Sequence, residues 1–245
     1  MKVCFITDLH IDSEGLFPLG VDTRQQFLNT LAHVVHRSYD LMIIGGDLCH
    51  TNGDVEIYKW IKSHMDDAEI PYHVISGNHD SSIMMAEVFG ISSLVCGSEL
   101  FYDDLYKSAN ILYLDTSPGM MSDKQFEWLE KKIESQTNED VIICMHHPPL
   151  VSGSAHMEPK YLFQQTERFS SLCSNYGEKR FIIFCGHYHI ARTVISKNMV
   201  VFISPSTFLQ IDPDSVEFKR DSQRYGYREI IIEHEKLLRT NVIYL

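Results

Sequence analysis

The chain has 245 residues, of which 44% are apolar and 22% charged, a balance typical of a globular protein with a full hydrophobic core. Acidic residues outnumber basic ones by 33 to 21, and the resulting formal charge of −12 repels nucleic-acid backbones and anionic lipid. We therefore expect neither a nucleic-acid polymer nor a membrane as a partner.

The chain carries no obvious targeting segment. Its first apolar run, residues 3–6, meets Thr7 and Asp8 too early to form the core of a signal peptide. No apolar run approaches the roughly 20 residues that span a bilayer. The six cysteines include no Cys-x-x-Cys pair, which favours free thiols that pack as small hydrophobes. We expect a cytoplasmic protein with a single domain over residues 1–245, since no linker or repeat divides it.

The first third of the chain alternates strand and helix patterns. Short apolar runs predict strands at residues 2–7, 41–44 and 72–75. Apolar residues at helical spacing predict one helix over residues 24–36 and another after residue 54, with Thr23 and Asp54 as their N-caps. This β-α-β-α-β order predicts right-handed crossovers and a largely parallel sheet whose loops lie at one edge.

The remainder of the chain is less regular. Residues 81–110 show no clear element, and residues 150–163 predict a polar loop. A capping box at residues 122–125 predicts the start of a helix, and residues 163–173 predict another. Further strands are predicted at residues 111–114, 141–145 and 181–185. Four later apolar runs have no helices between them and predict a second, mostly antiparallel sheet stacked on the first; they are residues 194–195, 200–203, 227–233 and 242–245.

Five of the apolar runs end in side chains that bind metals or carry protons. The polar segments that follow these runs are Asp8-Leu9-His10, Gly46-Asp47, Gly77-Asn78-His79-Asp80, His146-His147 and Gly186-His187-Tyr188-His189. Taken singly, each segment is explained as well by an ordinary turn or a hydrogen-bonded histidine. Ligands in open α/β sheets bind at the carboxyl ends of the strands, so the five segments together predict one shared crevice.

The side chains pooled in that crevice suit two metal ions. The expected ligands are Asp8, His10, Asp47, Asn78, His146, His187 and His189. Seven nitrogen and oxygen ligands are too many for one zinc ion, and they fit two first-row ions that share a bridging carboxylate. Two such ions about 3.5–4 Å apart can deprotonate a shared water and hold both oxygens of an in-line phosphoryl displacement.

The series Asp-x-His, Gly-Asp, Gly-Asn-His-Asp, His-His-Pro-Pro and Gly-His-x-His resembles the calcineurin-like metallophosphoesterase superfamily, in the same order over residues 8 to 189. Within that superfamily the chain is most similar to the bacterial class III 3′,5′-cyclic-nucleotide phosphodiesterases. Looser matches at residues 114–116, 125–129, 204–207 and 226–228 carry this narrower resemblance. It implies an α/β fold, a four-layer α-β-β-α sandwich of two mixed sheets.

The resemblance also implies a role for each ligand. Asp8, His10 and His189 would hold one metal ion, and Asn78, His146 and His187 the other, with Asp47 bridging. His79 would steady the phosphate charge and protonate the departing alkoxide, so that His79 and Asp47 are the expected catalytic residues. We prefer His146 to His147 as a ligand because His146 directly ends its strand.

Several neighbouring residues have other expected roles. Asp80 is expected to hold its loop by hydrogen bonds, and His147 is the weaker ligand candidate. His50 stands where many relatives carry an aspartate that orients the active-site histidine, so it either reaches the substrate or is exposed. Tyr188 fits packing as well as a substrate contact. His156 is expected to lie in a surface loop without a function.

We expect a dinuclear-metal phosphodiesterase that hydrolyses 3′,5′-cyclic nucleotides such as cyclic AMP by in-line attack of a metal-bridging hydroxide. The resemblance favours Fe and Mn as the metals, with Zn and Co as alternatives. It leaves the oligomeric state open, with a homodimer as one candidate because relatives often dimerise.

Two alternatives remain open at this stage. One is the same chemistry on another small substrate, a glycerophosphodiester, a 2′,3′-cyclic nucleotide or a phosphomonoester. The other is a non-catalytic scaffold of the same fold that binds a protein partner. A scaffold is expected to lose metal ligands, because a bare cluster of carboxylates and imidazoles costs stability.

Overall fold

The structure, a computed structural model, describes residues 1–107, 109–222 and 224–245. Over these residues the helices are α1 (Thr23–His36), α2 (Val55–Asp67), α3 (Ser82–Phe89), α4 (Asp123–Ser135), α5 (Glu158–Tyr161) and α6 (Thr166–Ser174). The strands are β1 (Lys2–Ile6), β2 (Leu41–Ile44), β3 (Tyr72–Val74), β4 (Val95–Cys96), β5 (Glu99–Leu100), β6 (Tyr102–Tyr106), β7 (Ala109–Tyr113), β8 (Asp140–Cys144), β9 (Arg180–Cys185), β10 (Arg192–Ser196), β11 (Met199–Ile203), β12 (Gln210–Ile211), β13 (Arg220–Ser222), β14 (Gly226–Glu233) and β15 (Lys236–Tyr244).

Two mixed sheets form the middle of the molecule. Sheet one has the order β15-β14-β1-β2-β3, in which β1, β2 and β3 are parallel and β14 and β15 run antiparallel to their neighbours. Sheet two has the order β10-β11-β9-β8-β7-β6, in which β7, β8, β9 and β11 are parallel and the two edge strands are antiparallel.

The separate antiparallel sheet predicted for the last four apolar runs is wrong. Strands β10 and β11 extend sheet two, whereas β14 and β15 extend sheet one. Residues 226–230 of β14 are buried in succession, on both faces of the strand. The strand is therefore covered on both faces, and it pairs with β1 at one edge and with β15 at the other.

The two sheets pack face to face, with helices on the outside. On β8, Ile142 and Cys144 face the core that sheet two shares with sheet one, while Val141 and Ile143 belong to the core under α4 and α6. The rings of Phe5 in β1 and Phe184 in β9 lie 6.4 Å apart and join the sheets. Helices α1 and α2 contribute to the first core. The four-layer α-β-β-α sandwich implied by the resemblance is confirmed.

Two of the three predicted helix caps, Asp54 and Ser122, are confirmed. Asp54 accepts hydrogen bonds from the N–H groups of Glu56 and Ile57, and Ser122 caps α4. Thr23 is not a cap, however. The carboxylate of Asp22 accepts the N–H of Gln25 at 2.9 Å, and α1 therefore begins at Thr23, whose side chain is buried.

The two segments without clear sequence patterns contain short elements. Residues 81–110 hold α3, capped by Ser81, and strands β4 to β6. The polar loop predicted over residues 150–163 contains the one-turn helix α5. The Glu158 carboxylate ties this turn to the segment before it, because it accepts the N–H groups of Ser152 and Gly153. The helix predicted from residue 163 begins only at Thr166.

All six cysteines are free thiols, and five of them are buried. Burial raises the pKa of the Cys49 thiol to about 12 and acts in the same direction on Cys4, Cys144 and Cys185. These thiols are therefore packing groups with little thiolate character. Over the described residues, none of the helices combines the length and the apolar character that crossing a membrane requires.

Candidate metal centre

The loops that follow β1, β2, β3, β8 and β9 meet at one edge of the sandwich. The N–H of Asp8 donates to the carbonyl of Gly46 at 3.0 Å, which joins the loops after β1 and β2. The N–H of Gly186 donates to the carbonyl of His146 at 3.1 Å, which joins the loops after β8 and β9. The N–H of His187 donates to the Asp8 carboxylate at 3.1 Å and so links the two sheets.

Five residues of these loops have left-handed backbone conformations. The φ angles of Asp8, His10, Asp47, His187 and His189 lie between 47° and 69°. A residue other than glycine is uncommon in this region, and each one costs of order 1–3 kcal/mol unless its surroundings hold it. Strain of this kind concentrates at functional sites, where the side-chain direction matters more than the backbone energy.

The strained loops bring carboxylates and imidazoles into two buried groups. Asp8, His10 and His189 form one group, and Asp47, His146 and His187 form the other; within each group the ligand atoms lie within 4.8 Å of one another. One Asp47 oxygen lies 3.6 Å from His10 Nε2 and 3.3 Å from His146 Nε2. Asp47 therefore stands between the two groups.

Backbone carbonyls fix the protonated nitrogen of three imidazoles. His146 Nδ1 lies 2.8 Å from the Gly45 carbonyl and His189 Nδ1 lies 3.0 Å from the Leu209 carbonyl. His187 Nε2 lies 3.0 Å from the Tyr161 carbonyl. A carbonyl oxygen only accepts, so each of these nitrogens carries a proton and donates it. The second nitrogen of each ring is left for the cluster, an arrangement typical of histidines that bind metal.

The nitrogens that face the cluster fit a metal ion. His10 Nε2 and His189 Nε2 lie 3.1 Å apart, so either a shared proton or a cation must separate their lone pairs. His146 Nε2 is buried and has no hydrogen-bond partner among the described residues. Buried polar atoms without partners are costly, and a cation removes that cost. Imidazole and carboxylate donors of this kind suit first-row transition metals.

The electrostatics of the cluster place ionised carboxylates beside two neutral imidazoles, His10 and His187, and beside a third, His146, that holds its proton. Burial lowers the pKa of His10 to about 3 and that of His187 to about 4. Burial also disfavours charge on His146, but the carboxylates of Asp47 and Asp8 outweigh it and raise the pKa to about 9. Burial alone would raise the pKa of the Asp47 carboxyl, yet the imidazoles of His146, His10 and His79 hold it well below its usual range.

Asn78 and His79 lie on the wall of the cleft above this cluster. Asn78 is exposed, whereas His79 is half-buried. The backbone N–H of His79 donates to Asp47 at 2.9 Å, and its ring Nδ1 donates to the Thr51 carbonyl at 3.1 Å. The His79 ring lies 5.0 Å from that of His10, and one of its nitrogens comes within 4.8 Å of ligand atoms of His10 and Asp47.

Asp80 ties two of the loops together from behind. Its carboxylate accepts the N–H groups of Leu48, Cys49 and Gly77 at 2.9 to 3.2 Å and the Tyr58 hydroxyl at 3.1 Å. Burial and the nearby charge of Asp47 raise the Asp80 pKa to about 6. The loop after β2, which carries Asp47, is thus anchored to the loop that carries Asn78 and His79.

The two remaining histidine candidates lie beside the ligand groups. His147 Nδ1 pairs with the Thr116 hydroxyl at 3.0 Å, and its ring packs 4.2 Å from that of His187. His147 belongs to neither ligand group. His50 lines the cleft, with its ring 5.8 Å from those of His10 and Phe208. His50 therefore lies on the wall of the cleft.

The 204–207 turn and Tyr188 have structural positions. The Ser206 hydroxyl donates to the carbonyl of Asp8 at 3.0 Å, and the N–H of Thr207 donates to the carbonyl of Thr7 at 3.1 Å. The turn therefore holds the strained loop that carries Asp8. Tyr188 is fully buried in the core of sheet two, so packing and not substrate contact is its role.

Sequence reasoning missed the outer wall of the cleft. The cleft has a volume of about 340 Å³. Its outer wall consists of Leu19, His156, Met157, Tyr161, Phe208, Leu209, Ile211 and Phe218. The expectation that His156 has only a loop position is corrected, because its ring is buried in this wall and its Nδ1 donates to the Val216 carbonyl at 2.9 Å. The aromatic residues of 150–163 and 208–218 were the available signal, but no local pattern shows which of them face the cleft.

Sequence comparison gives a match to a known family. The model of the calcineurin-like phosphoesterase family matches residues 1–191. A protein of Fibrobacter succinogenes named "probable cyclic nucleotide phosphodiesterase" is 28% identical over all of this chain and 94% of its own length. A "probable glycerophosphodiester phosphodiesterase" of Arcobacter nitrofigilis is 27% identical over 91% of this chain and 83% of its own length. A 3′,5′-cyclic adenosine monophosphate phosphodiesterase of Vibrio vulnificus is 26% identical over 99% and 89%, respectively.

Structure comparison gives a match over the same extent. The crystal structure of a dimetal phosphatase from Danio rerio superposes with a TM-score of 0.68 and 13% identity. The superposition covers 99% of this chain and 98% of that chain. At this identity, the likeness shows the shared fold.

Proposed function

The chain belongs to the calcineurin-like phosphoesterase family and is a metal-dependent phosphoester hydrolase, and from this premise we propose that it hydrolyses 3′,5′-cyclic nucleotides with two metal ions. The observation that carries the proposal is the position of Asp47. Its carboxylate lies between two buried ligand groups, 3.6 Å from His10 and 3.3 Å from His146, where it is placed to be shared.

The proposed ligands are those that the strand ends supply. Asp8, His10 and His189 would hold one ion, Asn78, His146 and His187 the other, and Asp47 both. We propose Fe and Mn as the metals, with Zn or Co as alternatives. Imidazole and carboxylate ligands bind all four metals, and availability decides among them. Such ions, when bound, supply an activated water and positive charge for the phosphate.

The chain's own residues would position the substrate and move one proton. His79 is held by its backbone N–H on Asp47 and by its Nδ1 on the Thr51 carbonyl, which leaves Nε2 for the cleft. From there His79 can steady a phosphate oxygen and protonate the departing alkoxide. Asp80 keeps the loops of Asp47 and His79 in register through its three backbone contacts.

A small substrate fits the cleft. The cleft volume of about 340 Å³ lies at the lower end of the range for small-molecule sites, roughly 300–1,000 Å³. Two of the three relatives described above are named for cyclic nucleotides, which favours this substrate over the glycerophosphodiester named for the third. Glycerophosphodiesters, 2′,3′-cyclic nucleotides and phosphomonoesters are the alternatives within the same chemistry.

A substrate panel with metal-loaded protein tests the proposal. The panel comprises 3′,5′-cyclic AMP, 2′,3′-cyclic AMP, glycerophosphocholine, p-nitrophenyl phosphate and bis-p-nitrophenyl phosphate. We expect hydrolysis of bis-p-nitrophenyl phosphate and of 3′,5′-cyclic AMP, loss of both activities with a chelator, and recovery with Mn²⁺. Asp47→Asn is expected to lower the metal content, measured by mass spectrometry, together with the activity. Metal-loaded protein that hydrolyses none of the five compounds would refute the proposal.

A further inference from the structure

Two aromatic rings of the outer wall are unusually open to solvent for their position. Tyr161 is 48% exposed and Phe218 is 47% exposed, although both line the cleft that contains His79 and His187. The buried His156 ring is a neighbour of both, 6.4 Å from the Tyr161 ring and 5.9 Å from the Phe218 ring. The Tyr161 ring in turn lies 6.4 Å from that of His187. The exposed rings are thus close neighbours of the ligand cluster.

The two loops that carry these rings are tied to each other and to the cluster. The N–H of Ala155 donates to the Pro213 carbonyl at 2.8 Å, and His156 Nδ1 donates to the Val216 carbonyl at 2.9 Å. The Tyr161 carbonyl accepts a hydrogen bond from His187 Nε2. The loops that carry the rings are therefore held together before a ligand arrives, which reduces the entropy that binding costs.

The chemistry of the wall favours a flat, uncharged group. Among the described residues that line the cleft there is no lysine, arginine or glutamate, and Asp47 belongs to the ligand cluster. A second phosphate or a glycerol would lose its water against this wall without gaining a charged partner. A nucleobase gains from such a surface, because every base has a π-face that stacks on aromatic rings.

We propose, on the basis of the function proposed above, that Tyr161 and Phe218 form a stacking platform for the nucleobase of a cyclic nucleotide whose phosphate lies at the ligand cluster. The platform makes these two residues determinants of specificity and leaves the chemical step to the cluster. It selects for the presence of a base and not for its hydrogen-bonding edge, so adenine and guanine nucleotides are both accepted.

The test compares one substrate with a base and one without. The pair is 3′,5′-cyclic AMP and ribose 3′,5′-cyclic phosphate, which share the reacting group. Phe218→Ala is expected to raise KM for cyclic AMP about 5- to 30-fold, with kcat unchanged, because stacking is lost, and to change kcat/KM for the substrate without a base by less than about 2-fold. Tyr161→Ala is expected to lower kcat/KM about 5- to 30-fold more for cyclic AMP than for the substrate without a base. Phe218→Tyr keeps a ring and is expected to behave as the unmodified protein.

Controls separate stacking from a general disturbance. Ile195→Ala removes a more exposed apolar side chain, 70% exposed on β10, that does not line the cleft, and it is expected to leave the hydrolysis of both substrates unaffected. Equal losses on both substrates, or no loss on either, would overturn the platform. A preference of the unmodified protein for glycerophosphocholine would also overturn the platform, because the same rings could hold its cationic head. The proposal of a dinuclear hydrolase would survive that result.

A binding measurement keeps the platform testable even if hydrolysis fails. Calorimetric titration of the metal-loaded protein with a phosphorothioate analogue of 3′,5′-cyclic AMP should show weaker binding to Phe218→Ala by about 5- to 30-fold. Unchanged affinity would count against the platform, independently of any activity.

Discussion

Single side chains in this site are oriented mainly by backbone groups. The carbonyls of Gly45, Leu209 and Tyr161 each accept a hydrogen bond from one imidazole. The backbone N–H groups of His79 and His187 donate to the carboxylates of Asp47 and Asp8. Backbone groups cannot rotate away as side chains do, so the ring orientations are set before a metal or substrate binds. The cost is the left-handed backbone of five residues.

His79 is expected to matter for the chemical step more than for binding. Replacing it as His79→Ala should lower kcat on 3′,5′-cyclic AMP by about 10²- to 10⁴-fold, the usual contribution of a general acid. Steady-state kinetics measure this, with metal content determined in parallel. His36→Ala is a suitable control because His36 lies exposed at the end of α1. A His79→Ala enzyme with normal kcat would exclude the proton-transfer role.

Gly186 is expected to tolerate no side chain. A Cβ at this position would collide with the side chains of Thr7 and Asp8, so the loop after β9 could not approach the loop after β1. Gly186→Ala should reduce the free energy of unfolding by about 1–3 kcal/mol and abolish activity. Urea denaturation measures the first effect. Gly177→Ala is the matched control, since nothing lies within 4 Å of its Cβ position, and a loss of stability there as large as at Gly186 would contradict the steric argument.

At the scale of elements, regular strands deliver the ligands and irregular loops arrange them. Each of the five strands ends one to three positions before its polar segment, and parallel pairing places these ends at one edge. The loops then depend on a few central acceptors. Asp80 is the chief example, because one carboxylate serves the loop after β2, the loop after β3 and Tyr58 of α2.

Asp80→Asn tests whether that anchor matters. The amide keeps the size of the side chain but turns an NH₂ group toward backbone donors, so at least one hydrogen bond is lost. We expect the free energy of unfolding to fall by about 1–3 kcal/mol and activity to fall with it, because Asp47 and His79 lose their common support. Asp66→Asn, a change near the end of α2 on the surface, is the control. Normal activity in Asp80→Asn would show that the loops hold their register without this carboxylate.

Over the whole molecule, the two sheets contribute to one cluster, so metal binding and folding should be coupled. Asp8, His10 and Asp47 follow strands of sheet one, whereas His146, His187 and His189 follow strands of sheet two. Any ion held by both sets binds the folded chain far better than the unfolded one. Such binding stabilises a protein by about 2.7 kcal/mol when the free metal is at 100 times its Kd.

Metal removal tests this coupling. A chelator is expected to lower Tm by several degrees, and Mn²⁺ should restore it, as measured by differential scanning calorimetry. In His189→Ala the difference between the two conditions should shrink, because one group of ligands is broken. An unchanged Tm after complete metal removal, verified by elemental analysis, would contradict the coupling. The single domain over residues 1–245 and the homodimer remain predictions at this scale.

The sequence by itself determined the family and the residues that meet at the strand ends. Strand periodicity and the polar segments after each strand are local features, and their order along the chain is enough to identify the family that the comparisons confirm. The sequence also determined the caps at Asp54 and Ser122, which depend on hydrogen bonds within a few residues.

Only the tertiary structure decided which sheet the last strands join and which aromatic rings line the cleft. It also showed that His156 is buried in the wall of that cleft. It further showed the one-turn helix α5, which Glu158 ties to the preceding segment, and Asp22 in place of Thr23 as the cap of α1. The physical reason is that a strand's partners and a side chain's direction in an irregular loop depend on contacts between segments far apart in the chain. No short window of sequence contains those contacts.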